Sequence, residues 1–177
     1  MRFRHIDRGG RFVRVADPAW RRPLDGSFAA TRGARWNPPG SFPVVYLCSS
    51  VDIARANVLR RFEGLPYAPL DLQPERRPVL VETDVPSHRA VDVVTDAGCR
   101  AAGLPETYPR DADGTEVGWD RCRSVGEAAW EQDEPSIAAR SAAARPADVG
   151  DELAWFVRGS AGRLKVTRRR AFDDWFA

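Results

Sequence analysis

The sequence predicts an α+β fold in a single domain, with more strand than helix. Short apolar segments of strand length, such as 42–50 and 78–86, outnumber the segments of helical periodicity. The length of 177 residues is typical of one domain, and no internal repeat or linker-like stretch divides the chain. We therefore assign residues 1–177 to one domain.

Each element is predicted from its local residue pattern. Strands are assigned where β-branched and aromatic residues form apolar runs or alternate with polar ones, and helices where apolar residues recur every three or four positions. In the helix over 51–64, Ser50 or Asp52 provides the N-cap and Gly64 ends the last turn. In the first part of the chain, the predicted elements are a strand over 9–16, a turn-rich stretch over 17–29, a strand over 42–50, the helix over 51–64 and a proline-rich connector over 65–78. The middle part has strands over 78–86 and 88–95, a helix over 96–103, a polar segment over 108–121 and a helix over 124–132. The last part has strands over 136–143 and 152–159, separated by a polar loop over 144–151, and a tail over 164–177 that combines a strand with a terminal helical turn.

Composition and charge argue against several classes of protein. The formal net charge is only +2, so the concentrated basic surface of a nucleic-acid-binding protein is not expected. No apolar run is long enough to span a membrane and the first residues do not resemble a secretory signal, which predicts a cytoplasmic protein. Cys48, Cys99 and Cys122 are widely spaced and the chain has two histidines, so we expect free thiols and no metal site.

The stretch GARWNPPGSFPVVYL, residues 33–47, is the most informative part of the chain. It places Arg35, Trp36 and Asn37 on a turn stiffened by two prolines, directly before the strand that contains Tyr46. A cation, a flat aromatic ring and an amide suit the binding of a ligand, and they equally suit the closing of a corner over the core. No dinucleotide-binding glycine motif, P-loop, GxSxG elbow or HExxH motif is present, so catalysis would rest on arginine, tyrosine, serine and carboxylate or amide groups.

The order of the motifs resembles the RES-domain family. The resemblance runs from about residue 12 to about residue 156, leaving the tail over 160–177 outside it, and is carried by FVRVADPAW (12–20), PLDGSFA (23–29), GARWNPPG (33–40), VVYL (44–47), the helix that follows and EPSIAARSAA (134–143). The family is named for an arginine, a glutamate and a serine. Its best-known members have ADP-ribosyltransferase-like folds and act as NAD-consuming toxins, each paired with an antitoxin. The resemblance implies an ADP-ribosyltransferase-like mixed β core with short flanking helices, and NAD as substrate with no cofactor.

Five residues near the N-terminus are implied to form the substrate site. Arg14 and Arg35 match the family's arginines, and either can hold the NAD pyrophosphate through charge-assisted hydrogen bonds. Tyr46 matches the tyrosine of the following strand. Trp36 and Tyr46 supply flat faces for a ring of the substrate, and Asn37 adds an amide. Each residue also has a structural explanation, such as Arg35 stacked on Trp36 to close a loop.

The serine and the glutamate of the family have less direct counterparts. Ser136 matches the late serine, and Ser141 is the rival; either would hydrogen-bond the nicotinamide amide or ribose. The family glutamate falls eleven residues after the tyrosine, where this chain has Asn57. An amide lacks the negative charge that stabilises the cation formed as the nicotinamide–ribose bond breaks. We prefer Glu82 to Glu63 as a substitute carboxylate, although an outward-facing strand residue is the simpler explanation of Glu82.

The resemblance implies a RES-type toxin that degrades NAD by hydrolysis, phosphorolysis or ADP-ribosyl transfer. Asn57 leaves two alternatives: a weakened or inactive homologue that binds NAD or ADP-ribose, and a partner-binding domain with a vestigial pocket. The expected partners are NAD and a cognate antitoxin protein, with no membrane and no nucleic acid. The tail RRRAFDDWFA (168–177) binds the antitoxin or a second subunit of a homodimer, or folds back on the core. The tryptophans assigned to the core or an interface are Trp20, Trp119, Trp130, Trp155 and Trp175.

Overall fold

The computed structural model describes residues 1–145, 148–160 and 162–176. Within these ranges the strands are β1 (His5–Ala16), β2 (Val44–Cys48), β3 (Val79–Val93), β4 (Ser136–Ala139), β5 (Glu152–Phe156) and β6 (Val166–Arg170). The α-helices are α1 (Ser27–Arg32), α2 (Val51–Phe62), α3 (Asp96–Ala101) and α4 (Trp119–Glu131). Short 3-10 helices lie at Pro69–Asp71, Pro74–Arg76 and Phe172–Asp174. The α+β fold predicted from the sequence is therefore confirmed.

The sheet closes on itself through two long antiparallel strands, β1 and β3. These strands pair from His5 opposite Val91 to Ala16 opposite Val79. The strand order is β1-β2-β5-β4-β3-β6, so β1, β2, β5, β4 and β3 form a ring and β6 extends from β3. The short β4 is parallel to β3, and the other pairings are antiparallel.

Helix α2 lies against β1 and β2. Its N-terminus is capped by Ser50, whose side-chain oxygen accepts a hydrogen bond from the Ile53 N–H at 3.2 Å, which decides between the two predicted caps in favour of Ser50. Buried apolar residues on one side of α2, including Ile53 and Val58, pack against Val13 and Leu80 of the sheet. The opposite side of the helix is free to present polar residues.

The C-terminal tail folds back on the core, one of the alternatives that the sequence left open. Phe172, Trp175 and Phe176 are buried in the same apolar cluster as α2. Arg55 of α2 donates hydrogen bonds to the carbonyl oxygens of Trp175 and Phe176, each at 2.9 Å. The aromatic end of the tail thus completes the packing of α2.

Most predicted bounds differ from the observed ones by a few residues, and three differences go further. The segments expected as separate strands over 78–86 and 88–95 form one strand, because Pro86 lies at a shift in register between Arg8 and Gly10 of β1, where a proline costs no ladder hydrogen bond. Helix α4 begins at Trp119, earlier than predicted. Helix α1 was not expected, since its six residues have no side-chain N-cap and are too few to show a period.

Parts of two predicted segments lie outside the described residues. These are positions 146 and 147 of the predicted loop over 144–151, and positions 161 and 177 of the tail over 160–177. Within the described ranges, no helix has both the length and the apolar character needed to cross a bilayer.

Gly126 of α4 provides a test of the close packing between this helix and the turn at Trp36. An added Cβ at Gly126 would overlap the Trp36 carbonyl oxygen. We expect Gly126→Ala to lower the free energy of unfolding by about 1–3 kcal/mol, the usual cost of overpacking, although alanine is the better helix former. Urea denaturation measures the change.

The control is Gly118→Ala at the N-cap of the same helix, where an added Cβ meets nothing within 4 Å. Its free energy of unfolding should change by less than about 1 kcal/mol. Equal stability of the two variants would contradict the packing described.

Candidate active site

A cavity of about 680 Å³ opens beside α2, with walls from β1, β2, β5 and the turn after α1. Its volume is that of a small-molecule site. Four residues predicted from the sequence line it together: Arg14, Arg35, Tyr46 and Asn57. Glu152, which the sequence analysis did not single out, lines it as well. The strands bring these residues together from positions up to 138 residues apart, the separation of Arg14 and Glu152.

Arg14 is a buried cation that lines the cavity. Its side chain projects from β1 and is 8% exposed. Nη1 donates to the Pro23 carbonyl oxygen at 2.7 Å, and the guanidinium lies 5.4 Å from the ring centre of Trp20. Among the described residues, no Asp or Glu oxygen lies within 4.0 Å of it. Burial, with the charge of Arg61, lowers the pKa of Arg14 to about 10, so it stays charged at neutral pH.

Arg35 and Arg60 share one carboxylate, that of Glu116. Each guanidinium donates to a different oxygen of Glu116, which belongs to the polar segment over 108–121. Burial raises the pKa of Glu116, but the hydrogen bonds from both arginines hold it below its ordinary value. Nη1 of Arg35 is buried and has no hydrogen-bond partner among the described residues. That nitrogen is enclosed by the protein, so it does not face the cavity as a free donor.

Trp36 and Asn37 are structural, which corrects their assignment to the substrate-binding set. Trp36 is 1% exposed and packs on Tyr108, so neither face of its ring is open to a ligand. Asn37 is fully buried, and its amide donates to the Ala29 carbonyl oxygen at 2.7 Å. Both residues belong to the corner that supports the cavity wall and contribute no surface to it.

The hydroxyl of Tyr46 joins this corner to the cavity. It donates to Asn37 Oδ1 at 2.8 Å and accepts from the Trp36 N–H at 3.0 Å. Burial raises the pKa of Tyr46, so the phenol stays neutral. Its hydroxyl therefore has a structural function, and the ring is the part of Tyr46 that lines the cavity.

Asn57, Ser141 and Glu152 form a hydrogen-bonded group at the cavity wall. Asn57 Nδ2 donates to Glu152 Oε1 at 2.9 Å, and the Ser141 hydroxyl donates to the same oxygen at 2.7 Å. Glu152 of β5 pairs with Cys48 of β2, so its side chain lies on the same face of the sheet as Cys48 and Tyr46. Burial, together with the Glu152 charge, raises the pKa of Cys48 to about 12 and keeps that thiol protonated.

Ser136 and Glu82 lie away from the cavity. Ser136 is fully buried at the first position of β4, and its hydroxyl is 2.6 Å from Nε2 of His88. Ser141 comes after the last residue of β4 and contacts the cavity-lining Glu152. Of the two candidates for the late serine, Ser141 is therefore the one that lies beside the cavity. Glu82 is held 3.9 Å from both Arg11 and Arg170. Its burial in an apolar strand is explained by these ion pairs.

Four aromatic residues that line the cavity were missed by the sequence analysis: Trp20, Phe28, Phe62 and Trp119. The rings of Trp20 and Phe28 lie 5.8 Å apart. Phe28 is 58% exposed and Trp119 47% exposed, so of the two alternatives predicted for Trp119, the core or an interface, the core is excluded. Their exposure depends on the turn around α1 and on the start of α4, which the residue pattern did not reveal.

Comparison with known proteins identifies the family. The model of the family described as RES domain matches residues 11–171. The chain belongs to the RES-domain family. Among the described residues of this RES chain, no group of three or more His, Cys, Asp or Glu side chains could hold a metal ion.

Two curated relatives and one solved structure resemble this RES chain. The protein named NAD(+) phosphorylase MbcT is 32% identical over 114 residues in both Mycobacterium bovis and Mycobacterium tuberculosis. The alignment covers 63% of this chain and 57% of each relative, so it spans little more than half of their length. The crystal structure of the M. tuberculosis MbcT–MbcA toxin–antitoxin complex matches with a TM-score of 0.76 at 24% identity, over 97% of this chain and 91% of that one, and supports the fold.

The hydroxyl of Tyr46 provides a test of the corner in this RES chain. In Tyr46→Phe, Asn37 Oδ1 loses the hydroxyl that donates to it, and the Trp36 N–H loses the hydroxyl that accepts from it. Both Asn37 and Trp36 are buried. Leaving buried polar groups unpaired costs about 1–3 kcal/mol, and we expect that loss in the free energy of unfolding. Denaturant titration measures it.

The matched control is Tyr67→Phe, since Tyr67 is 47% exposed. This variant should stay within about 0.5 kcal/mol of the parent. If both variants are as stable as the parent, the hydroxyl of Tyr46 does not support the corner.

Proposed function

We propose that this RES domain degrades NAD by breaking its nicotinamide–ribose bond, with inorganic phosphate as the acceptor. The observation that carries the proposal is the charge pattern of the cavity. Arg14 lies in its wall without a carboxylate within 4.0 Å among the described residues, and a carboxylate from Glu152 lines the same cavity. A ligand that carries both a diphosphate and a developing cation matches both groups.

The arginines would bind the diphosphate. A guanidinium presents donors in a rigid fork that matches phosphate oxygens, and charge-assisted hydrogen bonds are the stronger ones. Arg14 and Arg35 both line the cavity and carry such donors. Trp20, Phe28 and Trp119 would contact the bases, because aromatic rings stack on flat heterocycles.

The choice of phosphate as acceptor is supported by the relatives. The aligned mycobacterial proteins are named NAD(+) phosphorylases. Hydrolysis and ADP-ribosyl transfer break the same bond and differ only in the group that attacks the ribose carbon. NAD is thus a substrate, and the proposal requires no cofactor.

The proposed partner is a cognate antitoxin protein. The matched crystal structure is that of a toxin–antitoxin complex, and an NAD-degrading enzyme needs an inhibitor in the cell that makes it. The proposed place of action is the cytoplasm, where NAD is available and where Cys48, Cys99 and Cys122 remain reduced thiols.

Proton NMR of the purified protein with NAD tests the function, in parallel buffers with and without phosphate. We expect nicotinamide to be released faster when phosphate is present. Intact NAD with shifted resonances would support a binding protein instead, and unperturbed NAD in both buffers would contradict the proposal.

Arg14→Gln and Arg11→Gln form a matched pair for the same assay. Arg14 lines the cavity, whereas the side chain of Arg11 on the same strand is 74% exposed. Loss of a charge-assisted hydrogen bond of about 1.5–3 kcal/mol should lower kcat/KM by about tenfold or more in Arg14→Gln. Arg11→Gln should match the parent, and equal losses in both would argue against a role in the cavity.

Glu116 pairs with Arg35, one of the two arginines proposed to bind the diphosphate. Because an exposed ion pair is worth up to about 1 kcal/mol, Glu116→Gln should tighten ADP-ribose binding about two- to fivefold. Isothermal titration calorimetry measures the affinity. The control is Glu106→Gln, whose carboxylate pairs with Arg100. Weaker binding by Glu116→Gln would show that Glu116 organises the site instead of competing with the ligand.

A further inference from the structure

The proposed function matches Glu152 to a developing cation but does not yet assign it a step in the reaction. Glu152 is the first residue of β5, and it lines the cavity together with Arg14, Arg35 and Arg60. Despite these cations, no Arg, Lys or His nitrogen among the described residues lies within 4.0 Å of its carboxylate. Partly buried carboxylates are usually paired with a cation, so an unneutralised one in a ligand-sized cavity calls for an explanation.

Two neutral donors hold this carboxylate in place. Asn57 Nδ2 and the Ser141 hydroxyl both donate to Oε1, at 2.9 and 2.7 Å. Neither donor carries a charge, so the full negative charge of Glu152 remains. In the described part of the chain, no side chain or backbone group hydrogen-bonds to Oε2, which leaves that oxygen for a ligand.

The geometry also explains the amide at position 57. A glutamate at position 57, where the resemblance to the family places an acid, would set a second carboxylate beside Glu152. Two carboxylates that share a site do not both ionise. Asn57 avoids this repulsion and donates a hydrogen bond instead, so an amide on α2 and an acid on β5 form a consistent pair.

We propose that Glu152 is the catalytic carboxylate of this chain, replacing an acid at position 57. The inference rests on the proposed function. As the bond between the ribose carbon C1′ and nicotinamide breaks, its electron pair stays on nicotinamide and positive charge develops on the ribose. Glu152 Oε2 stabilises that charge. A phosphate oxygen then supplies the electron pair of the new C–O bond to C1′; if water attacks instead, it loses a proton to the solvent.

Exchanging the acid and the amide tests the inference. Initial rates of nicotinamide release are measured by proton NMR with phosphate for the parent, Glu152→Gln, Asn57→Glu and the double variant Asn57→Glu/Glu152→Gln. Glu152→Gln should be slower by about ten- to a hundredfold, because a neutral amide replaces the charge. Asn57→Glu alone should be no faster than the parent. The double variant should recover at least about tenfold over Glu152→Gln, since it carries one acid and one amide in exchanged places.

Binding and stability measurements separate chemistry from folding. ADP-ribose affinity should change less than about threefold in Glu152→Gln, so that the loss lies in kcat, and melting temperatures identify any variant that is not folded. The control is Glu82→Gln, a buried carboxylate between Arg11 and Arg170; its rate should equal that of the parent.

The outcomes distinguish the inference from the proposed function. An active parent with an equally active Glu152→Gln would overturn the inference and leave the function standing. A gain of activity in Asn57→Glu alone would also overturn the inference, because it would mean that the parent lacks a catalytic acid. This outcome can be observed even if Glu152→Gln does not fold. A folded parent that releases no nicotinamide, with or without phosphate, removes the proposed function and the inference with it.

Discussion

The pairing of β1 with β3 is the constraint on which the rest of the structure depends. The two strands are hydrogen-bonded along nearly their whole lengths, so the shorter β2, β5 and β4 must complete a ring between them. Closure places Arg14 of β1, Tyr46 of β2 and Glu152 of β5 around one cavity. No local feature of the sequence brings these three residues together; the ring does.

The cavity keeps charges of both signs apart within a small space. Arg14 and Glu152 line the same cavity, but each is held by uncharged groups, a backbone carbonyl for Arg14 and an amide and a hydroxyl for Glu152. Hydrogen bonds from neutral groups reduce the cost of burial without cancelling the charge. Arg35 and Arg60, by contrast, share the single carboxylate of Glu116, so two cations meet one anion there. Among the described residues, the cavity therefore presents the carboxylate of Glu152 together with an excess of positive charge from its arginines.

Much of the fold and part of the candidate site could be predicted from the sequence. Local patterns sufficed for α2 and for most strands, and the motif resemblance located Arg14, Arg35, Tyr46 and Asn57, which the cavity brings together. The predictions that failed concern residues whose positions are set by tertiary contacts. The interior position of Trp36 follows from packing on Tyr108 and α4. Glu152 begins an ordinary-looking strand, and only the register with Cys48 turns it towards the cavity.

The burial of Phe172, Trp175 and Phe176 bears on when the packing of α2 is completed during synthesis. Residues 172–176 are translated after every other described part of the domain, and domains assemble from the N-terminal end as the chain emerges from the ribosome. Until they emerge, the apolar side of α2 that receives Phe172, Trp175 and Phe176 stays uncovered. The same helix carries Asn57 at the cavity wall, one turn after the buried Ile53. A nascent chain in which residues 172–176 have not yet been made therefore lacks a fully supported cavity.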